Sequence, residues 1–198
     1  MYIFITNPNA RSGLGHKIWD DIETVLKKRG VTYQVYFTKY QQHATKIVRQ
    51  ITSDHERHNI IVLGGDGTVN EVINGIDCLA NVTLGYIPIG SSNDFARGLG
   101  LPADPLKALE NILAPVRHLA INIGVLEYGD KRRRFSVSTG LGFDAGVCHE
   151  VMVSRLKVFL NKIKLGKLSY AGVALHRMIS LDPAPGNWIS IKYTLPLP

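Results

Sequence analysis

The chain has 198 residues, 45% of them hydrophobic and 20% charged, with a net charge of +7, a composition that suits a globular protein with one good core or one domain plus part of a second. No stretch reaches the ~20 consecutive apolar residues of a membrane span, and Met1 to Pro8 has no basic leader, so the expected location is cytoplasmic. Cys78 and Cys148 stand far apart without a Cys-x-x-Cys pattern, which argues against a disulfide framework or zinc site and reads as two small core residues.

Tyr2 to Thr6 is a short apolar strand ending at Asn7-Pro8. Leu14, Ile18, Ile22, Val25 and Leu26 then follow one helix face, and Gly30 sits where a C-terminal cap belongs. Val31, Tyr33, Val35 and Phe37 have the period of a strand, and Ala44, Ile47, Val48 and Ile51 that of a helix. Asn59 to Leu63 is a third strand followed by a helix over Val69 to Ile76. Thr83 to Ile87 is a fourth, ended by Pro88 and Gly90, and Pro105 to Leu113 is another helix. This alternation predicts an α/β domain over residues 1–123: a mainly parallel sheet with helices on both faces, binding ligands beyond the carboxyl ends of its strands.

From Ile121 the alternation fails. Ile121 to Leu126 and Arg134 to Ser138 read as neighbouring strands joined by a basic turn, and Trp188 to Leu195 as a further strand. Residues 124–198 are therefore expected to form a β-rich domain that is incomplete, in a truncated chain.

Chemistry concentrates at Gly64-Gly65-Asp66-Gly67-Thr68-Val69-Asn70-Glu71, entered from the apolar run Ile60 to Leu63. Glycines allow positive φ and close approach of backbone N–H groups to an anion, and the following helix presents its N-terminus. A carboxylate in such a place suggests a Mg²⁺-nucleotide or a hydroxyl to be activated. Taken alone, the run is equally compatible with a tight turn.

Residues 1–124 carry 12 Lys/Arg against 11 Asp/Glu, whereas 125–198 carry 11 against 5. The excess in the second part suggests an anionic partner, either a membrane surface or nucleic acid. Lys131-Arg132-Arg133-Arg134 reads as a hairpin tip that is either merely solvated or a membrane contact. No basic helix interleaved with aromatics and no reader motif supports nucleic acid, which is not expected as a partner.

Four segments, taken in order, carry a resemblance: Asn7 to Gly13, Gly64 to Glu71, Pro88 to Arg97 with its Asn93-Asp94-Phe95-Ala96-Arg97, and Ser138 to Ala145. Together they resemble the diacylglycerol kinase catalytic family, bacterial lipid kinases that also look like sphingosine and ceramide kinases. The resemblance implies a nucleotide domain like that of the NAD kinases packed on a β-sandwich, with ATP and lipid meeting in the cleft. By position, Asn7, Pro8, Asn9, Ser12 and Gly13 would form the first ATP loop and Thr38 a further ATP contact. Gly65, Asp66, Gly67, Thr68, Asn70 and Glu71 would form the central nucleotide loop. Ser91 replaces the family's usual threonine and keeps its hydroxyl.

Asp66 is the metal-side carboxylate in this reading, and Asp66 and Asp94 are its catalytic candidates. Asp94 would join a charge network around the phosphates, with a helix N-cap as its other reading. Glu71 is open between nucleotide contact and a solvent-facing place in the first helical turn. His43, His55, His58 and His118 show no pair spacing tied to a carboxylate and read as surface or satisfied histidines. Tyr33, Tyr36 and Phe37 read as strand and core residues.

Two departures from the family stand out. Asn122 occupies a strand position where an acidic residue is common, and the family's acid-base residue and structural Mg²⁺ ligands fall beyond Pro198. The expected activity is transfer of the γ-phosphoryl group of ATP to the hydroxyl of diacylglycerol or a similar lipid, with ATP and Mg²⁺ as cofactors. The enzyme would sit peripherally at the inner face of an anionic membrane, with a homodimer left open. The alternatives are an NAD-kinase-like or sugar kinase and an inactive nucleotide-binding regulatory fragment.

Overall fold

Strands β1 (Tyr2–Thr6), β2 (Tyr33–Phe37), β3 (His58–Gly64) and β4 (Val82–Pro88) pair in parallel in the order β2-β1-β3-β4 in the computed structural model, which describes residues 1–138. Because successive side chains of a strand point to opposite faces, the sheet feeds two cores. Ile3, Ile5, Ile60, Val62 and Tyr86 face one, and Phe4, Ile61, Leu63 and Ile87 face the other. The α/β class with helices on both faces is the one the sequence predicts.

Helix α1 (Ala10–Gly13) is a single turn after β1, and α2 (Gly15–Lys28) buries Trp19, Ile22 and Leu26 on the Phe4 face. Gly30 ends α2 at φ +64° with its N–H on the Lys27 carbonyl, a conformation that favours glycine. Helix α6 (Pro105–Leu113) shares this face, with Asp104 as its N-cap accepting from Lys107 N–H at 2.8 Å. On the other face lie α3 (His43–Thr52), α4 (Asp66–Gly75) and α5 (Asp94–Gly98). A Cβ on Gly75 would stand 2.5 Å from the Thr45 carbonyl, so the glycine lets α4 pack directly on α3.

Two local expectations are corrected. Helix α4 begins at Asp66, before the apolar period that starts at Val69, because its first turn is polar and leaves no hydrophobic pattern. The basic run is a strand rather than a tip: β5 (Gly124–Tyr128) pairs antiparallel with β6 (Lys131–Phe135) around Gly129-Asp130, with Gly129 at φ +53°. Hairpin and sheet belong to one compact unit, Met1–Val137. Asn74 Nδ2 donates to the Arg134 carbonyl and Asn74 Oδ1 accepts from Arg134 N–H, both at 2.8 Å. Arg134 also donates from its guanidinium to the carbonyls of Ile73, Ile76 and Asp77, and so closes the C-terminal end of α4.

Cys78 is exposed, not a core residue, because it follows α4 into a surface connection. The histidine reading is corrected in part: His55 Nδ1 lies 3.1 Å from Asp77 and His58 Nε2 2.8 Å from Asp54. No helix among the described residues is long and apolar enough to cross a membrane. Cys148, the Ser138 to Ala145 segment beyond its first residue, and the β-rich part expected after it lie outside the described residues.

Candidate functional site

The chain leaves β1 toward β2 on one side and later crosses to β3 on the other, so the strand order reverses between β1 and β3. Crevices at such a reversal, beyond the carboxyl ends, are where open α/β sheets bind ligands. Three turns meet there. Asn7 N–H donates to the Leu63 carbonyl at 2.9 Å, Ile89 N–H donates to the Gly64 carbonyl at 2.8 Å, and Thr38 N–H donates to the Thr6 carbonyl at 2.9 Å. The ends of all four strands are thereby stitched by backbone bonds.

Asp66 sits in the first turn of α4, half-buried. Its Oδ2 accepts from Asp94 N–H at 2.9 Å and its Oδ1 from Phe95 N–H at 3.1 Å. The carboxylate therefore caps α5, whose own N-cap residue Asn93 makes no side-chain cap bond. An ionised carboxylate has about four lone-pair sites, so each oxygen keeps acceptor capacity toward a cation. Asp94 is exposed as the first residue of α5 and pairs with Arg97. Its expected N-cap place is thus one residue earlier, at Asn93.

Of the two uses that the sequence suggests for these glycines, positive φ is not found, and the close approach seen is of one turn's backbone to the other's. None of Gly64, Gly65, Gly67 or Gly90 is left-handed, whereas Gly13 is, at φ +94°. A Cβ on Gly65 would lie 3.0 Å from Gly90 Cα, and one on Gly90 2.5 Å from Gly65 Cα. The β3–α4 and β4–α5 turns therefore cross glycine on glycine. Thr68 packs into the notch at Gly64, where an added Cβ would meet its Oγ1 at 2.6 Å. Gly67 differs: it is exposed, with nothing within 4 Å of an added Cβ.

Several predicted residues organise the turns. Asn7 donates to Thr68 Oγ1 at 3.3 Å and accepts from Asn9 N–H at 3.0 Å, which curls the segment through Pro8 into α1, where Ser12 and Gly13 lie. Glu71 Oε2 accepts from Ala44 N–H at 3.3 Å, joining α4 to the start of α3 beside the Thr38 turn. Asn70 accepts from Asn74 Nδ2 through its carbonyl at 2.7 Å. Ser91 is exposed in the β4–α5 turn. These positions gather at the same ends of the strands.

Sequence reasoning missed Asn93, Tyr86 and Thr6. Asn93, at φ +54°, accepts from Gly90 N–H at 2.8 Å and donates to the Gly90 carbonyl at 3.0 Å, holding the turn open for Asp94. Tyr86 donates to Asn93 Oδ1 at 3.3 Å, and its phenol is held protonated well above its ordinary range, first by burial and then by the charges of Asp66 and Asp94. Thr6 Oγ1 is buried at the end of β1 without a hydrogen-bond partner among the described residues. The available signal was a tyrosine inside a strand and an asparagine opening a helix.

Residues 1–124 match the family described as the diacylglycerol kinase catalytic domain. The chain is 54% identical over 191 residues to a diacylglycerol kinase of Bacillus subtilis (strain 168), covering 96% of this chain and 58% of that protein. It is 38% identical over 111 residues to a diacylglycerol kinase of Staphylococcus carnosus (strain TM300), covering 55% of this chain and 36% of that one. A crystal structure of a diacylglycerol kinase from Bacillus anthracis (strain Sterne) aligns with a TM-score of 0.49 at 36% identity, covering 56% of this chain and 38% of that one. The chain thus spans less than two thirds of these relatives. By the family match over residues 1–124, more than half of its length, the chain belongs to the diacylglycerol kinase catalytic-domain family.

Proposed function

We propose that the protein containing this chain is an ATP-dependent lipid kinase that phosphorylates the free hydroxyl of diacylglycerol or a similar lipid. The observation that carries this reading is the crossing of the Gly65 and Gly90 turns at the carboxyl end of a parallel sheet, with the Asp66 carboxylate between them. The lipid side of the reading is supported by the relatives' names.

In the reaction, the lipid hydroxyl oxygen forms a bond to the γ-phosphorus as the bond from that phosphorus to the bridging oxygen of ADP breaks, and the hydroxyl proton passes to a base. Such transfer rests on placement and charge neutralisation. Backbone donors of the 7–13 and 64–68 turns and the open face at Gly67 would cradle the phosphates, with the exposed Ser91 offering a hydroxyl and Thr38, buried just after β2, standing behind the turns. The residues fit a Mg²⁺ held mainly by phosphate oxygens and water, because Asp66 retains acceptor capacity and this ion commonly takes only one or two protein carboxylates. When bound, it would neutralise charge on the phosphate oxygens. We assign that role to Asp66 together with Asp94, and the role of base to Asp66 or a carboxylate outside the described residues.

Titration calorimetry with Mg²⁺-ATP tests the nucleotide half: the chain binds, and Asp66→Asn binds at least about tenfold more weakly. No binding by the parent chain overturns the reading. Transfer of labelled γ-phosphate to diacylglycerol by the protein tests the lipid half, and labelling of soluble acceptors alone would replace it with a small-molecule kinase.

A further inference from the structure

At the end of α4 away from Asp66, ten residues or roughly 15 Å along the helix, a groove of ≈ 250 Å³ is lined by Arg49, Arg132 and Arg134 together with Asn74 and Asp77. The three guanidinium groups come from two elements: Arg49 from the last turn of α3, and Arg132 and Arg134 from one face of β6, two residues apart. Asp77 contributes the lining's carboxylate, and that group lies 3.1 Å from His55.

Arg134 is half-buried and spends its side-chain bonds on the carbonyls of Ile73, Ile76 and Asp77. Neither Arg134 nor Arg49 has a carboxylate partner among the described residues. The negative end of the α4 dipole, the three carbonyls and the Asp77 charge favour Arg134, while Arg132 sets a second positive charge beside it. Its pKa is displaced downward, first by burial and then by Arg132. Arg132 meets Glu127 at 3.3 Å in an exposed pair, which exchanges readily for a better partner. The planar fork of a guanidinium matches two oxygens of a phosphate.

We infer that the groove between α3, the end of α4 and β6 is a second anion site, which takes the phosphate group of a soluble phosphate compound or of a phospholipid headgroup. Arg134 forms its fixed floor, and Arg49 and Arg132 close on the ligand from two sides. The site lies apart from the turns assigned to ATP and does not depend on them.

The test compares the parent chain with Arg49→Ala/Arg132→Ala, which leaves the Arg134 cap intact, and with Lys131→Ala/Arg133→Ala, which removes the same charge from the other face of β6. Calorimetric titrations use inorganic phosphate and a short-chain, monomeric phosphatidylglycerol, with saturating Mg²⁺-ATP present to fill the nucleotide turns. The first variant is expected to lose at least about tenfold in affinity for one of these probes while its ATP affinity and circular dichroism match the parent. Loss with inorganic phosphate identifies a soluble ligand; loss confined to the phospholipid identifies a headgroup. Absence of binding of both probes to the parent, equal binding by parent and first variant, or an equal loss in the second variant overturns the inference. The separate ATP titration reports on the kinase reading, so either can fail alone.

Discussion

Asp66 and Asp94 are bound to each other across 28 positions of sequence: the Asp66 carboxylate accepts the Asp94 backbone N–H at 2.9 Å and, through its other oxygen, that of Phe95. A single side chain thus fixes the β4–α5 turn to the β3–α4 turn. Two functions of the carboxylate can be separated, because the cap needs an oxygen and a cation site needs the negative charge. Asp66→Ala is expected to cost about 1 kcal/mol of stability through the lost cap together with most of the Mg²⁺-ATP affinity. Asp66→Asn keeps one acceptor and is expected to retain more stability while losing nucleotide comparably. Urea unfolding beside calorimetry checks this; full ATP affinity in the asparagine variant would make Asp66 a cap alone.

The glycines divide in the same way. Gly65→Ala and Gly90→Ala place a Cβ against opposing backbone, and overpacking of this kind costs about 1–3 kcal/mol. Gly67 lies inside α4 with open space around it, so Gly67→Ala is expected to stabilise the helix by up to about 1 kcal/mol. If the phosphates rest on the Gly67 backbone, that more stable variant binds ATP more weakly. Stability and affinity moving together would place the phosphates elsewhere.

The sheet and its helices were legible because each strand and helix buries an apolar stripe of its own period: Tyr2 to Thr6 and Pro105 to Leu113 coincide with the observed elements. The turns of the site were legible as strand ends. What joins the turns was not, because the partners are far apart in sequence and mostly backbone. Nothing local in Asp66 points to the N–H groups of Asp94 and Phe95, in Glu71 to that of Ala44, or in Asn74 to the backbone of Arg134. Gly65 and Gly90 each look like a flexible turn glycine until they are seen to touch. The same limit applies to the basic run, four charges alike in sequence but unlike in place: Arg134 caps α4, whereas Lys131 and Arg133 are exposed.

Acid sensitivity is expected at the edge of the sheet. Lys27 first, at 2.9 Å, and then the Tyr33 hydroxyl, at 2.7 Å, hold the Glu23 carboxyl below its ordinary value of 4.5. A carboxyl with a lowered folded pKa contributes stability that is complete above the unfolded value and lost as pH falls through the folded one. Glu23→Gln should therefore melt with a shallower decline than the parent as pH drops below 4.5. Because the group is exposed, the difference at neutral pH is small. Thermal midpoints measured on both sides of that pH decide it, and parallel curves would remove Glu23 from the acid limb.

If the protein is a lipid kinase that works at an anionic bilayer, as proposed, Lys131 and Arg133 are the members of the basic run exposed to meet it, since both lie on β6 away from the α4 end that Arg134 holds. Each basic side chain near such a surface is worth about 1 kcal/mol, so Lys131→Ala/Arg133→Ala is expected to weaken binding to phosphatidylglycerol vesicles about thirtyfold at low salt. The difference shrinks as salt shortens the screening length. Arg134 stays unaltered here, because its loss would strip the cap from α4 and confound binding with unfolding. Vesicle sedimentation of parent and variant, beside an ATP titration that should not change, separates surface attraction from damage to the nucleotide turns. Equal sedimentation of variant and parent would leave the hairpin solvated and assign membrane contact to another part of the protein.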